Sequence, residues 1–483
     1  MRACRRGAAL ERLSRVRWLR LPEPPRQDPR RGLELPWERE GHAAVAWDGV
    51  VAMLGGFTDH GLAIDVRLLD LRAERPAWRR AAASAVGGAI PASVYGHSAV
   101  VLRGAHLNGG AAVVRFGGHT LGGYSGEIDE LIALRWAAGA APEPNDAAQP
   151  MVEWFEPPVE PGERAPPVGY HAACASEDGA TMYVSGGIAD GESKWSSLWA
   201  LDSRTWAWRQ LTPTDPDAPE PPPRFGHSMV AAGGAVYVVG GGSGGDLLRD
   251  GFDHSDIWRF DLKSRRWSTV GEGLEEGVAG RCHTAVAVPC PAAFEARLLI
   301  FGGGIETSNL ATSLSFRTTP PEGTAVRLER MRGDVMLRDT IGDAAQYILP
   351  RLSQVCVCVG TRVVLHGGWS YRMRAMADTW VGELAPLDGA AEQAAELASL
   401  GPSELAVAPR VANPLPNAQG GLIGALGHLA GNNHLIQQQL LQLLGAIESD
   451  EDSDEEYPEE EMPDAEYPED PADAEEETEA TDD

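Results

Sequence analysis

Lysine is nearly absent from this chain of 483 residues. Only Lys194 and Lys263 occur, so 39 of the 41 lysines and arginines are arginine. Few candidates therefore remain for a Schiff-base lysine or for a lysine that binds a phosphate group. Because alanine, glycine and proline are abundant, the imbalance indicates codon bias in a GC-rich genome rather than a mechanism.

The chain also lacks the motifs of common catalytic and nucleotide-binding sites. It contains no P-loop, no Gly-x-Ser-x-Gly motif and no dinucleotide-binding fingerprint. The glycine-rich residues 240–245 follow a strand-like run and open no helix, which argues against a phosphate cradle. Residues 176–179 are similar to the start of a sialidase Asp box, but they lie where a hairpin turn is expected. We therefore predict a protein that is not an enzyme and needs no cofactor.

Cysteine spacing and hydropathy predict a compartment. The six cysteines show no C-x-x-C spacing, so no metal site of that kind is predicted. Cys356 and Cys358 share one face of an apolar strand, which is typical of small core residues in a reducing compartment. The N-terminus has no apolar run suited to a secretory signal, and no stretch is long enough to span a bilayer. The sequence thus predicts a cytoplasmic or nuclear protein that binds no membrane.

Acidic residues are concentrated at the C-terminal end. The formal net charge is −29, and residues 448–483 hold 21 acidic residues without Lys or Arg, which leaves −8 for the rest. High charge and low hydrophobicity predict that this tail is disordered and suited to a basic protein partner. Nucleic-acid binding is not expected, because it needs a basic surface. Residues 388–447, with apolar side chains at helical spacing, are predicted to be a helical segment.

A unit of about 45 residues recurs through the preceding part of the chain, and Arg224 to Trp267 shows it best. It contains four short strand-like runs, a Gly-Gly hairpin turn, a histidine near its start and a second Gly-Gly pair after the second run. That pair recurs as Gly55-Gly56, Gly117-Gly118, Gly186-Gly187, Gly240-Gly241, Gly302-Gly303 and Gly367-Gly368. The histidine recurs as His42, His97, His171, His227 and His283, and Gln354 takes its place in the sixth unit.

This pattern resembles the Kelch-repeat β-propeller family, whose repeats are about 50 residues long. The resemblance covers roughly residues 18–387 and implies an all-β propeller with six blades. Tyr170 and Cys282 depart from it, because they stand where a glycine precedes the histidine in other units. The sixth unit lacks a fourth strand, and the run around Trp18 is suited to supply one and so close the ring. The predicted organisation is a basic lead-in (1–15), the propeller (16–387), the helical segment (388–447) and the tail (448–483).

Propellers of this kind bind partners through loops at one mouth of the ring. The loops after the Gly-Gly pairs carry aromatic and basic residues of the types favoured at interface anchors. The densest group follows Gly367-Gly368, and it predicts an acidic or aromatic-rich peptide as ligand. Packing of Trp195 and Trp369 beneath their own loops is the alternative. The candidates are His60, Tyr124, Lys194, Trp195, Arg249, Phe252, Trp369, Tyr371, Arg372 and Arg374.

The sequence thus predicts a monomeric, non-catalytic scaffold for protein–protein interaction. The alternative is a substrate-recognition subunit of a ubiquitin ligase. The stretch before Trp18 is too short for an F-box or BTB domain, which favours the scaffold. A catalytic propeller is a third hypothesis, but no triad or metal-binding set supports it.

Removal of residues 448–483 is expected to leave the melting temperature of the remaining chain nearly unchanged, because 21 mutually repelling acids cannot form a core. Binding of a basic protein to the full chain should weaken steeply with salt. Thermal denaturation of both proteins measures the first effect. A large drop in melting temperature would show that the tail is part of the folded structure.

Overall fold

A computed structural model describes residues 16–21 and much of the range 38–384. The gaps within that range are 59–60, 105, 108–109, 122–125, 138–140, 142, 147, 190–191, 194–195, 245–250, 271–278, 289–295, 304–311, 317–326, 331–350 and 371–373. The predicted helical segment and the acidic tail lie outside the described residues. In the part that is described, no helix has the length and apolar character needed to cross a membrane.

Short β-strands make up the described chain. The first are β1 (Val16–Arg20), β2 (Ala43–Trp47), β3 (Val50–Leu54), β4 (Phe57–Thr58), β5 (Gly61–Leu62), β6 (Val66–Asp70), β7 (Trp78–Arg80), β8 (Ala82–Ala85), β9 (Ser98–Arg103), β10 (Ala111–Phe116), β11 (Leu131–Trp136) and β12 (Met151–Phe155). Next come β13 (Ala172–Ala175), β14 (Thr181–Ser185), β15 (Ile188–Ala189), β16 (Glu192–Ser193), β17 (Leu198–Asp202), β18 (Ala207–Gln210), β19 (Ser228–Ala232), β20 (Ala235–Val239), β21 (Gly242–Ser243), β22 (Phe252–Asp253), β23 (Ile257–Asp261) and β24 (Arg266–Thr269). The last are β25 (Thr284–Val288), β26 (Ala296–Phe301), β27 (Thr312–Phe316), β28 (Arg327–Arg330), β29 (Arg351–Leu352), β30 (Val355–Val359), β31 (Arg362–His366), β32 (Trp369–Ser370), β33 (Arg374–Ala375) and β34 (Thr379–Leu384).

The long strands pair into sheets of four or five. Their orders are β2-β3-β6-β7, β9-β10-β11-β12-β8, β13-β14-β17-β18, β19-β20-β23-β24, β25-β26-β27-β28 and β30-β31-β34-β1, and they are called the first to sixth sheets below. The second strands β3, β10 and β20 are buried along their whole length, because each is covered on both faces by neighbouring sheets. Outer strands alternate instead, as in the buried Trp267 between exposed Arg266 and Ser268.

The first strands of these sheets contact one another in a closed cyclic order. Strand β2 packs against β9, β9 against β13, β13 against β19, β19 against β25, β25 against β30, and β30 against β2. Each sheet thereby buries both of its faces, which a single sheet cannot do alone. The described strands form an all-β propeller, and the sequence prediction of this architecture is confirmed.

The N-terminal strand completes the sixth sheet. Strand β1 pairs antiparallel with β34, from Val16 opposite Leu384 to Arg20 opposite Trp380. Leu21, which follows β1, is buried with side chains of the first and sixth sheets, including Val51 and Val364. Strand β34 is therefore paired on both sides, by β31 and by β1, and has no open edge there.

The second sheet has a fifth strand that the sequence did not predict. The chain leaves β7 of the first sheet and continues into β8, which pairs parallel with β12 of the second sheet. Its residues are Ala82, Ala83, Ser84 and Ala85, whose small side chains carry no strand-like alternation. Because strands are recognised in a sequence by the alternation of apolar and polar residues, β8 could not be predicted.

A ring of backbone hydrogen bonds surrounds the axis. It is formed by the residue that precedes the histidine of each repeat unit or, in the sixth unit, precedes Gln354. We call these six residues the belt. Each belt N–H donates to the carbonyl of the preceding belt residue: Gly96 to Gly41 (2.7 Å), Tyr170 to Gly96 (2.7 Å), Gly226 to Tyr170 (2.9 Å), Cys282 to Gly226 (2.8 Å), Ser353 to Cys282 (2.9 Å) and Gly41 to Ser353 (3.4 Å). All six have φ between 52° and 63°.

The Gly-Gly pairs and histidines of the repeat lock neighbouring sheets together. A Cβ on Gly55 would lie 2.7 Å from the ring of His97 in the next sheet, and one on Gly56 would lie 2.6 Å from the Cβ of His42 in its own sheet. Gly367 meets His42 in the same way at 2.8 Å, which joins the sixth sheet to the first. The histidines are buried, and burial lowers the pKa of His171 to about 3. The histidines serve in packing. Glycine is required in the Gly-Gly pairs because the histidines approach their backbone too closely for a Cβ atom.

Gly226→Ala is expected to destabilise the protein more than Gly87→Ala does. Both residues have positive φ, 57° and 65°, so each alanine carries a backbone penalty of about 1–2 kcal/mol. A Cβ at Gly226 would also lie 2.6 Å from the backbone nitrogen of Cys282, whereas one at Gly87 meets nothing within 4 Å. This clash within the belt should add about 1–3 kcal/mol. Urea denaturation measures the difference, and equal losses would contradict the role given to the belt.

Candidate functional site

One end of the propeller gathers the segments that precede the belt and those that follow the Gly-Gly pairs. Glu40 pairs with Phe57, Tyr95 with His119, Gly169 with Ile188 and Phe225 with Gly242 through isolated antiparallel bridges. Each bridge ties the residue before the belt to the loop of the same sheet. We call this end the loop face, and it is the mouth at which the sequence placed the binding residues.

Three of the ten residues predicted to bind a partner fall within the described part of the chain. Phe252, in β22, is 62% exposed. Trp369 is half-buried in β32 and lies opposite Leu352 of β29 and Ala375 of β33. Arg374 pairs with Ser370 through the backbone of β33. The seven residues that lie outside the described residues are His60, Tyr124, Lys194, Trp195, Arg249, Tyr371 and Arg372.

Three sheets carry a buried arginine–aspartate pair behind this face, which the sequence analysis missed. In the sixth sheet, Arg351 donates to both carboxylate oxygens of Asp378, at 2.6 and 2.8 Å, and to the carbonyl of Gly367 at 3.1 Å. Burial alone would raise the pKa of Asp378, but hydrogen bonds and charge from Arg351 hold it below the usual value. The same geometry joins Arg39 with Asp65 and Arg224 with Asp256.

These pairs brace the loops rather than offer charge to a ligand. The arginine stands three residues before the histidine or Gln354, and the aspartate directly precedes the third strand of the sheet. Asp256 and Asp378 also accept a hydrogen bond from the indole of Trp258 and Trp380, respectively. Arg281 is similarly engaged, because it donates to Asp253 at 2.8 Å. An acidic ligand would have to break such a buried, bidentate contact to reach any of these guanidinium groups.

Aromatic rings meet at the axis on the loop face. The Tyr95 ring lies 5.9 Å from that of Tyr170 at an interplanar angle of 83°, and 5.5 Å from that of His119. His119 and Tyr170 are 5.3 Å apart, and Phe57 lies 6.1 Å from Tyr95. Rings contributed by the first three sheets thus form one continuous contact. We call Glu40, Tyr95, His119, Tyr170 and Cys282 the axial cluster.

Two members of the axial cluster occupy strained positions in the belt. Tyr170 has φ of 52° and Cys282 has φ of 60°, values that glycine adopts freely and other residues rarely do. A Cβ on Gly96 would lie 3.0 Å from the ring of Tyr170, and one on Gly226 would lie 3.1 Å from Sγ of Cys282. The belt side chains therefore extend along its inner rim, where three of the six residues are glycine. Strain retained at such positions is typical of functional sites.

Glu40 supplies the acid of the axial cluster. Desolvation raises the pKa of its carboxyl group to about 7. In the described part of the chain this carboxyl has no hydrogen-bond or ion-pair partner. Its charge also contributes, after burial, to the raised pKa values of Tyr170 and Cys282. These two residues belong to the third and fifth sheets, which lie two places from the first sheet in opposite directions around the ring.

Two features of the described side chains bear on catalysis. Among them, no group of three or more His, Cys, Asp or Glu residues has the geometry to hold a metal ion. Ser243 contacts His254, but its hydroxyl also hydrogen-bonds the carbonyl of Pro223. A hydroxyl that donates its proton to a carbonyl is not poised to pass it to an imidazole. The arrangement is suited to holding the loop around β21 and β22.

Sequence reasoning noted Tyr170 and Cys282 only as departures from glycine, and it passed over Glu40 and Tyr95. The available signal was positional: the residue before the belt is acidic in the first unit and aromatic in the second. His119 gave a further signal, because it faces Gly169, where a Cβ would lie 2.0 Å from its ring. These residues are 24 to 242 positions apart in the chain, and the fold of the ring brings them together.

Comparisons of the sequence with known protein sequences agree with this architecture. A family model described as the KLHDC2/KLHL20/DRC7 Kelch-repeats domain matches residues 148–320. Adagio-like protein 1 of Oryza sativa subsp. japonica is 30% identical over 325 residues, which are 63% of this chain and 43% of that protein. Host cell factor 2 of Homo sapiens is 30% identical over 165 residues, which are 34% of this chain and 17% of that protein. A solved structure, "Structure of YjhT", covers 75% of this chain and 96% of that chain at 13% identity and a TM-score of 0.46.

This chain spans less than half the length of the two relatives. The family match begins before β12 and ends after β27, so it includes the third and fourth sheets, where the unit from Arg224 to Trp267 is most regular. The Gly-Gly pairs, the packed histidines and the cyclic order of the sheets extend the same pattern to both sides of that match. The family match and the relatives support the identification of the chain as a Kelch-repeat protein.

Proposed function

We propose that this chain is a six-bladed propeller that acts as a non-catalytic module for protein–protein interaction, with its partner bound on the loop face. The blade count is supported by the six-membered cycle of first strands, from β2 through β30 and back to β2. The partner-binding role is supported by the exposed apolar residues of that face, which carry the proposal.

Large apolar side chains are exposed mainly at the loop face. Six are exposed among the described residues, and five of them lie in segments that follow a Gly-Gly pair or lead to the belt: Ile64 (53%), Val86 (43%), Ile90 (76%), Leu121 (50%) and Phe252 (62%). Apolar side chains exposed in this way on a rigid scaffold are suited to anchor a protein partner. Phe252 was a candidate from the sequence, and the other four extend the same surface to the first and second sheets.

The surroundings of these residues favour a macromolecular partner over a small substrate. The arginines beneath the face are held in buried pairs with Asp65, Asp256 and Asp378. Exposed apolar side chains combined with polar groups give the loop face the composition of a protein-binding surface. We further propose a cytoplasmic or nuclear location and a second, salt-sensitive contact between the acidic tail and a basic protein.

Replacement of Leu121 and Phe252 by Asp should abolish recovery of the specific partner without unfolding the protein. Both side chains are at least half exposed, so their loss costs little stability, whereas a buried interface anchor contributes about 2 kcal/mol or more to binding. The measurement is quantitative affinity purification of the full chain from native extract, followed by binding of the purified partner. Circular dichroism and thermal denaturation confirm folding.

Met151→Asp is the matched control. Met151 is 60% exposed, like Phe252, but it begins β12 at the end of the sheet away from the loop face. It should leave partner recovery unchanged. If the Leu121 and Phe252 variant and the Met151 variant lose partner recovery equally, or if neither loses it, the loop face is not the partner-binding surface. Recovery of cullin or its adaptor proteins would instead favour the alternative role of a substrate-recognition subunit of a ubiquitin ligase.

A further inference from the structure

We propose that the axial cluster binds an ammonium group, held between the carboxylate of Glu40 and the rings of Tyr95 and Tyr170. This inference rests on the proposed function, because the ammonium group is that of a protein partner seated on the loop face. The chemistry required is a positive charge on a narrow aliphatic stem, which is what a lysine side chain or a free N-terminal amine presents.

The two tyrosine rings form a corner suited to a cation. They meet edge to face at 83°, with their centroids 5.9 Å apart, so the two rings stand at nearly a right angle. His119 closes the side between them, at 5.5 Å from Tyr95 and 5.3 Å from Tyr170. An ammonium group over the face of a tyrosine ring is attracted by the ring quadrupole, and the attraction grows when water is displaced. Both tyrosines are only half-buried, so the corner is reached from solvent.

Glu40 supplies a negative charge that the described chain does not neutralise. Its carboxyl accepts no hydrogen bond from the described residues. The nearest arginine in sequence, Arg39, is committed to Asp65 at 3.0 Å, and Arg281 is committed to Asp253 at 2.8 Å. A half-buried carboxylate without a counter-charge is unfavourable in isolation, and a bound ammonium group relieves that cost. The contrast with the paired aspartates marks Glu40 as the acid available to a ligand.

Backbone strain points to the same place. A glycine in place of Tyr170 would relieve its φ of 52°, as glycine does at Gly41, Gly96 and Gly226. The tyrosine instead places its ring against Gly96 and beside Tyr95. A bulky side chain kept in a left-handed backbone conformation at the axis is explained by a role in binding better than by packing alone.

The site should weaken as pH falls through about 7, the raised pKa of Glu40. Protonation removes its charge, while an alkylammonium ligand stays charged up to about pH 10. Burial lowers the pKa of His119 and raises those of Tyr170 and Cys282, so these shifts move the three groups away from this window. Glu127, which lies 3.5 Å from His119, and the Arg39–Asp65 and Arg281–Asp253 ion pairs are the other charged groups around the cluster. Affinity should therefore be greater at about pH 8 than at about pH 6.

The test is titration of the full chain with N-acetyl-lysine N-methylamide, followed by calorimetry or ligand-observed NMR at constant ionic strength. N-acetyl-norleucine N-methylamide, a neutral molecule of similar shape, should bind at least about tenfold more weakly. Glycinamide in place of the lysine probe separates an N-terminal amine from a side-chain amine. Glu40→Gln should reduce affinity for the lysine probe about tenfold or more and remove its dependence on pH.

Glu160→Gln, which changes an exposed carboxylate, is the matched control and should bind as the unchanged protein does. Equal binding of the lysine and norleucine probes would overturn the inference, as would unchanged binding by Glu40→Gln. The pH dependence of the unchanged protein needs no variant, and its absence would also overturn the inference. A variant that loses ammonium binding still has Leu121 and Phe252 exposed on the loop face. Partner recovery through these two residues therefore tests the proposed function separately.

Discussion

The closed belt of six backbone hydrogen bonds is the constraint on which the rest of the propeller depends. Each bond joins neighbouring sheets at the same depth, so the belt fixes how far each first strand lies from the axis. The geometry demands positive φ at every belt residue, which favours glycine at each of them. Because a histidine or Gln354 follows directly, the belt also sets the position of the side chain that packs against a Gly-Gly pair. The repeat in the sequence thus reflects a single contact that recurs in every unit.

This origin explains which features could be predicted from the sequence. Positive φ and close approach are local demands, so Gly55-Gly56, His42 and their equivalents stand out at a regular spacing. Strand β1 was also predictable, since Trp18 lies in a run with the pattern of a fourth strand, and β34 needed a partner. Strand β8 was not, because its alanine and serine residues show no alternation, and its pairing with β12 depends on the route of the chain between sheets.

The axial cluster could not be predicted because it depends on the closing of the ring. Glu40, Tyr170 and Cys282 come from three sheets, and nothing in the repeat containing any one of them refers to the others. The arginine–aspartate pairs were hidden for a different reason. Arg351 and Asp378 are 27 residues apart, and each looks like an ordinary charged residue beside a loop until its burial is known. Packing that follows the repeat could be predicted from the sequence, whereas contacts between residues of different sheets across the ring could not.

The belt also accounts for how a symmetrical scaffold acquires a site without symmetry. Its hydrogen bonds use only backbone atoms, so replacement of glycine by Tyr170 or Cys282 leaves the ring of bonds intact and costs only local strain. Each replacement places a side chain on the inner rim, while the blades behind it stay the same. Charge is divided in the same way: Asp65, Asp256 and Asp378 are neutralised by arginine and hold the loops, whereas Glu40 has no such partner among the described residues. Structure thus resides in the positions that repeat, and binding chemistry in those that break the repeat.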